Sequence, residues 1–183
     1  MSALEPGAWP DTIDQAAGLR ADGPVAALRR AREKADRHTR GSEAALFDPA
    51  LTGLALTERL HAARQAAVLS RADALAGLYR RRLIEHEAAA GTAPEAVEAT
   101  LHAIDEGDRA ALPPRLSAIA SHTRRLVAAP ATASPADLLA LRAAGLTTPA
   151  IVALSQLVAF VTYQARVAAA CAALQAHLAP EAA

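Results

Sequence analysis

The chain predicts an all-α protein, and three observations carry that prediction. Alanine, the best helix former and the smallest core filler, supplies 52 of the 183 residues. Aromatic residues make up only 3%, which leaves cross-strand pairing little material. The stretch from Ser134 to Cys171 reads as two helices with clear start and stop signals around one glycine. In it Ser134 caps a helix that begins at Pro135 and carries Asp137 in its first turn, and Gly145 is placed to end that helix in a left-handed conformation. The next helix opens at Thr148-Pro149.

The remaining elements follow in chain order. Residues 1–23 are rich in Pro, Gly and Asp and read as an N-terminal arm with a short helix near Asp11 to Leu19. The helical domain then covers 24–183, a length that suits one core and no second full domain. Pro24 starts a helix to about Thr39 with a solvated, charged face, and a short helix from Ser42 to Phe47 ends at Asp48-Pro49. From Thr57 to Ala90 the apolar residues recur at threes and fours, with Ser70-Arg71-Ala72-Asp73 able to divide the run in two. Gly91 closes it, and Thr92 with Glu95 predicts a capping box for a helix to Glu106, closed by Gly107. Pro113-Pro114 begins a further helix from Arg115 to Ala128.

Charge and cysteine usage narrow the function. Nineteen basic and nineteen acidic residues cancel, which removes the footprint of a general nucleic-acid or anionic-membrane binder. A single cysteine excludes an intramolecular disulfide and a thiolate zinc cage; no metal or other cofactor is expected. It also fits a reducing cytoplasm, and the acidic, proline-bearing start is unlike a secretory signal. From Pro149 to Gln164 no residue is charged, which predicts a helix buried in protein or lipid. Those sixteen residues reach roughly 24 Å, short of the roughly 30 Å hydrocarbon core, so a buried soluble helix is expected and no membrane span.

Few residues invite chemistry. Glu58, His61, Arg64 and Gln65 lie at helical spacing and can share a face. Glu58 on an otherwise apolar helix is a candidate general base, with His61 as its proton shuttle. Just after a Thr57 cap, the same carboxylate also serves simply to complement the helix dipole. Tyr79 precedes Arg80-Arg81-Arg82, whose side chains point three ways around the helix and form no phosphate comb; Arg81 and Arg82 can each pair with Glu85. On the last helix Gln156, Phe160 and Tyr163 form one stripe and Ser155, Thr162 and Arg166 another, either of which can line a pocket or an interface. Tyr79, Gln156 and Tyr163 are the pocket candidates. Cys171, among alanines, reads as a small buried hydrophobe.

With the helices laid out, the chain resembles the carboxymuconolactone decarboxylase-like superfamily, which also holds the alkylhydroperoxidase D proteins. The matching residues are LALTERLHAARQAAVLSRADALAGLYRRRL at 54–83 and DLLALRAAGLTTPAIVALSQLVAFVTYQARV at 137–167. The resemblance extends to DTIDQAAGL and the SEAALFDP turn, which have counterparts in a subfamily known as CMD domain proteins. It implies a multi-helix bundle that assembles as a trimer or hexamer. Peroxidase members carry a glutamate, then Cys-x-x-Cys and a histidine; Glu58 matches the glutamate, and Ser70-Arg71-Ala72-Asp73 stands where the cysteines would be. Without a thiol pair the disulfide-forming peroxide cycle has no chemistry available.

Three functions are therefore expected in turn. The first is a scaffold or small-molecule pocket protein without the peroxidase site, either a homo-oligomer or a partner of a cysteine-bearing relative. The second is a thiol-free enzyme using Glu58 or His61 on a lactone or carboxylate. The third is a helix-turn-helix regulator built on LRAAGLTTPAIVALSQLVAF, against which stands the absence of Arg, Lys and Asn between Pro149 and Ala165.

Overall fold

The computed structural model of the protein describes residues 11–178, which form nine α-helices and no strand. They are α1 (Thr12–Ala16), α2 (Pro24–Arg30), α3 (Glu33–Leu46), α4 (Leu56–Leu69), α5 (Asp73–Ala89), α6 (Pro94–Glu106), α7 (Pro114–Ala128), α8 (Pro135–Ala143) and α9 (Thr148–Leu178). A 3-10 turn at Pro130–Thr132 joins α7 to α8.

The core is organised around α4. Its alanines Ala63, Ala66 and Ala67 are wholly buried, and such small side chains let neighbouring helix axes come close. Against them pack Leu75, Tyr79 and Leu83 of α5, Ile119 of α7, and Leu154, Leu157 and Val161 of α9. A satellite cluster of Ala103, Ile104, Leu112 and Ala120 ties α6 to α7, and Ile13, Ala17 and Ala168 seat α1 on α9.

Most termini are as the sequence predicts. Ser134 and Asp137 cap α8: the carboxylate accepts the Ser134 N–H at 2.8 Å and the Ser134 hydroxyl at 3.0 Å. Gly145 takes φ +84°, its N–H bonds Arg142 O at 2.9 Å and the Leu146 N–H bonds Leu141 O at 3.0 Å. That pair of bonds is a Schellman stop. The long run after Thr57 does divide, with Arg71 at φ +56° between α4 and α5.

Four local expectations are corrected. The Pro24 helix breaks at Ala31-Arg32, where the side chains from Arg30 to Ala35 are exposed and gain no burial from a continued helix. The short helix expected from Ser42 merges into α3, since one interior glycine, Gly41, costs only about 1 kcal/mol relative to alanine. α4 starts at Leu56, so Thr57 is no cap; Glu58 is the third helical residue and its carboxylate accepts the Ala55 N–H at 2.9 Å. α6 starts at Pro94 with Ala93 at its cap, and Thr92 gives its hydroxyl to Glu87 at 2.8 Å instead.

α9 is covered on one face only. Ala150, Ile151, Leu154, Leu157, Val158, Val161, Gln164, Ala165 and Ala168 are buried, while Val152, Gln156, Ala159 and Tyr163 are exposed. The helix runs unbroken for 31 residues and is long and apolar enough, by length and composition alone, to cross a membrane. Its buried face is part of the domain core, as in a core helix of a soluble protein.

Candidate functional site

Glu58 is held in a clamp. Arg115 at the start of α7 donates from Nε to Glu58 Oε1 at 2.6 Å and from Nη2 to Oε2 at 3.3 Å. The same guanidinium donates to Gly145 O at 2.8 Å and to Gly53 O at 2.7 Å. With the Ala55 N–H also on Oε2, both carboxylate oxygens are taken. One planar fork thus joins the starts of α4 and α7 to the turns before α4 and α9, a task suited to arginine's geometry. Glu58 is in the wall of none of the cavities described below.

His61 does not share Glu58's contacts. It is 5% exposed, its Nδ1 has no partner among the described residues, and burial pulls its pKa down to about 4. The imidazole is therefore neutral at physiological pH. Glu87, whose carboxyl the Thr57 hydroxyl holds below its usual range, and Arg64, paired with Asp105, are its charged neighbours. Gln65 also faces inward with an unpartnered Oε1. A cavity of about 20 Å³ beside it has room for about one water.

The largest buried polar arrangement joins residues the sequence reading kept apart. Tyr79, fully buried, donates its hydroxyl to Gln164 Oε1 at 2.6 Å, and Gln164 Nε2 donates to Glu43 Oε2 at 3.2 Å. Arg82 donates to Glu43 Oε1 at 2.7 Å and to Thr12 Oγ1 at 2.6 Å, and the Thr12 hydroxyl donates to Glu43. Phe47 stacks on Tyr79 at 5.3 Å between centroids, and the Arg82 guanidinium lies 5.4 Å from the Tyr79 ring centre. Burial pushes the Tyr79 phenol far above its usual pKa, so it acts as a neutral donor. This hub pins α1, α3, α5 and α9 together. The expected pairing of Arg82 with Glu85 is replaced by the Glu43 pair, and Arg80 reaches Glu98 on α6. Beside the hub, Phe47, Leu56, Leu60, Arg82, Glu85 and His86 enclose a cavity of about 260 Å³.

Tyr163 and Cys171 line one cavity of about 360 Å³ with Arg29, Arg32 and Thr39, and Gln156 is not in its wall. Gln156 and Tyr163 are exposed; the Tyr163 hydroxyl is 3.1 Å from Thr39 Oγ1, and its ring is 6.2 Å from Phe160. Cys171 is half-buried beside Ile13, Ala16 and Leu19, and burial pushes its thiol pKa up. Its nearest charged influences are Arg29, Asp14 and Asp11, not Arg166 or His177.

A cleft the sequence reading missed lies between α7 and α8, about 690 Å³ in volume. Ser117, Ser121, His122 and Arg125 project into it from one face of α7, with Arg109 at its rim and Asp137 on α8. The spacing 117, 121, 122, 125 is the one available signal, and it is indistinguishable from an ordinary polar helix face. His122 Nε2 is 3.3 Å from Ser155 Oγ, but the Ser155 hydroxyl donates to Ile151 O at 2.9 Å. Its proton being spent there, Nε2 is the donor and Ser155 is not poised as a nucleophile. Among the described residues no group of three or more His, Cys, Asp or Glu side chains is placed to hold a metal ion.

No protein-family model matches the chain, and no curated protein matches it.

Proposed function

We propose that this chain is an alkylhydroperoxidase D-like helical protein that lacks a peroxide-reducing centre and acts in the cytoplasm as a scaffold, assembled with copies of itself. The observation that carries the reading is the separation of its two redox candidates. Through Arg115, Glu58 is bonded to Gly145, just before α9 begins at Thr148. Cys171 lies about 23 residues further along that helix, roughly 35 Å at 1.5 Å per residue. A glutamate relay and a thiol so far apart cannot act on one peroxide. The raised pKa of Cys171 further reduces its thiolate fraction.

Self-assembly is supported by the uncovered stripe of α9, Val152, Gln156, Ala159 and Tyr163, within a segment that has no charge from Pro149 to Ala165. Such a stripe can meet its own copy without leaving a charge unpaired. It offers DNA no cation, which disfavours the regulator reading. A trimer or hexamer is the assembly the resemblance implies, and a cysteine-bearing relative is the alternative partner.

Hydroperoxide consumption with a dithiol reductant tests the first half. Wild type, Cys171→Ser and Glu58→Gln are each expected to stay at the protein-free rate; turnover that Cys171→Ser abolishes overturns the reading. Light scattering tests the second. Wild type is expected above the 18.9 kDa of one chain, and Ala159→Glu is expected to lower that mass; a monomeric wild type overturns assembly.

A further inference from the structure

The cleft between α7 and α8 has the size of a small-molecule site, about 690 Å³ where ligand pockets commonly run from about 300 to 1,000 Å³. Its wall is divided by chemistry. Leu112, Pro114, the α8 alanines Ala140 and Ala143, and Ala144 just after them form an apolar side. Arg109, Arg125, Ser117 and Ser121 form a polar side, with Asp137 as the acidic residue of the wall.

The polar groups differ in what they have to spare. Arg125 is committed, reaching Asp137 at 3.3 Å and the Thr132 hydroxyl at 3.1 Å. Asp137 is committed to Arg125 and to the Ser134 cap. The Ser121 hydroxyl donates to Ser117 O at 2.8 Å. Arg109 has no ion pair and the Ser117 hydroxyl no hydrogen bond among the described residues. Two arginines against one aspartate leave the wall one positive charge in excess. His122 adds none, because burial pushes its pKa down and keeps the ring neutral. It lines the cleft 95% buried, and its Nδ1, the acceptor nitrogen of the neutral ring, is shielded from solvent and makes no claim on an anion.

We propose that this cleft binds a small amphipathic organic anion, its charged head on Arg109 and the Ser117 hydroxyl and its apolar body against Leu112 and the alanines of α8. The charge is recognised by a charge-assisted bond from an arginine with no competing carboxylate, and the body by the apolar wall. The proposal is independent of peroxide chemistry and of assembly.

Benzenesulfonate, an apolar ring with a permanently ionised head, is the probe, followed by isothermal titration calorimetry. Benzyl alcohol, which lacks the charge, and inorganic phosphate, which lacks the body, are expected to bind at least about tenfold more weakly. Arg109→Gln, an exposed rim change, is expected to weaken benzenesulfonate about tenfold, and Ala140→Phe to obstruct it. Arg20→Gln, an exposed change on the α1–α2 connection, should bind as wild type does. Circular dichroism establishes that each variant is folded. No heat from wild type at millimolar probe overturns the proposal. So does unchanged binding by both Arg109→Gln and Ala140→Phe. Phosphate binding as tightly as benzenesulfonate overturns it too, since that would be a bare cationic patch.

Discussion

Two arginine–carboxylate pairs organise this protein, and they do so in different surroundings. Arg115–Glu58 lies toward the surface, its side chains 33% and 15% exposed, and its other partners are backbone carbonyls of turns. In Arg82–Glu43 the arginine lies deeper, at 9%, while the carboxylate at 16% is about as exposed as Glu58, and the pair is surrounded by Thr12, Gln164 and Tyr79. The first ties loops that could be held otherwise. The second is one member of a polar chain that links four helices. The contrast teaches that similar ion pairs carry unequal risk: removing one member of a buried pair strands a charge, whereas water can solvate what a surface pair loses.

The largest expected effect is therefore at Glu43. Glu43→Ala takes the carboxylate from the Arg82 ion pair and strips an acceptor from Thr12 and Gln164. Urea unfolding should show a loss of about 3–5 kcal/mol. A loss near zero would mean that α1 and α3 already part from the core in solution, and the contrast would fail.

Acid should act on a buried histidine. His61 is held neutral by burial, with a folded pKa of about 4 against an ordinary 6.5. Its depressed value makes the unfolded chain bind the proton more readily, so its contribution is fully present above about pH 6.5 and is lost as pH falls toward about 4. The shift corresponds to about 3 kcal/mol, an order of magnitude only. His122, also lowered by burial, adds in the same direction. Stability measured from pH 7 to 4 should fall over this window in wild type and fall less in His61→Phe. An identical slope in the variant would assign the acid response to the carboxylates.

How much of this was legible follows from distance along the chain. The Ser134 cap, the Gly145 stop and the Gly107 stop are local events, written in residues three to five apart, and each stands where the sequence predicts it. Glu58 was legible as a residue with a role, and the helix-start role was one of its readings; Arg115, 57 positions away, was not. The hub was wholly illegible, because Thr12, Glu43, Arg82 and Gln164 are joined by packing and by no spacing rule. Arg82 shows why the local rule lost. An exposed pairing with Glu85 gains roughly 0.3–0.5 kcal/mol, too little to compete with a buried partner placed by the fold.

The smallest effect belongs to the clamp, and it sharpens the contrast by geometry. Arg115→Lys keeps the charge beside Glu58 but replaces a planar fork with one ammonium, which cannot reach the carboxylate and the carbonyls of both Gly53 and Gly145. Because the pair is partly solvated, the expected loss is only about 1 kcal/mol, with an unchanged dependence on urea. Hydrogen exchange is the more telling readout. The Leu146 amide, bonded to Leu141 O in the turn that Arg115 holds, should exchange faster in Arg115→Lys, while amides of α4 such as Ala66 keep wild-type protection. Faster exchange throughout α4 would show that the clamp supports the core itself, and the two ion pairs would then differ in exposure but not in consequence.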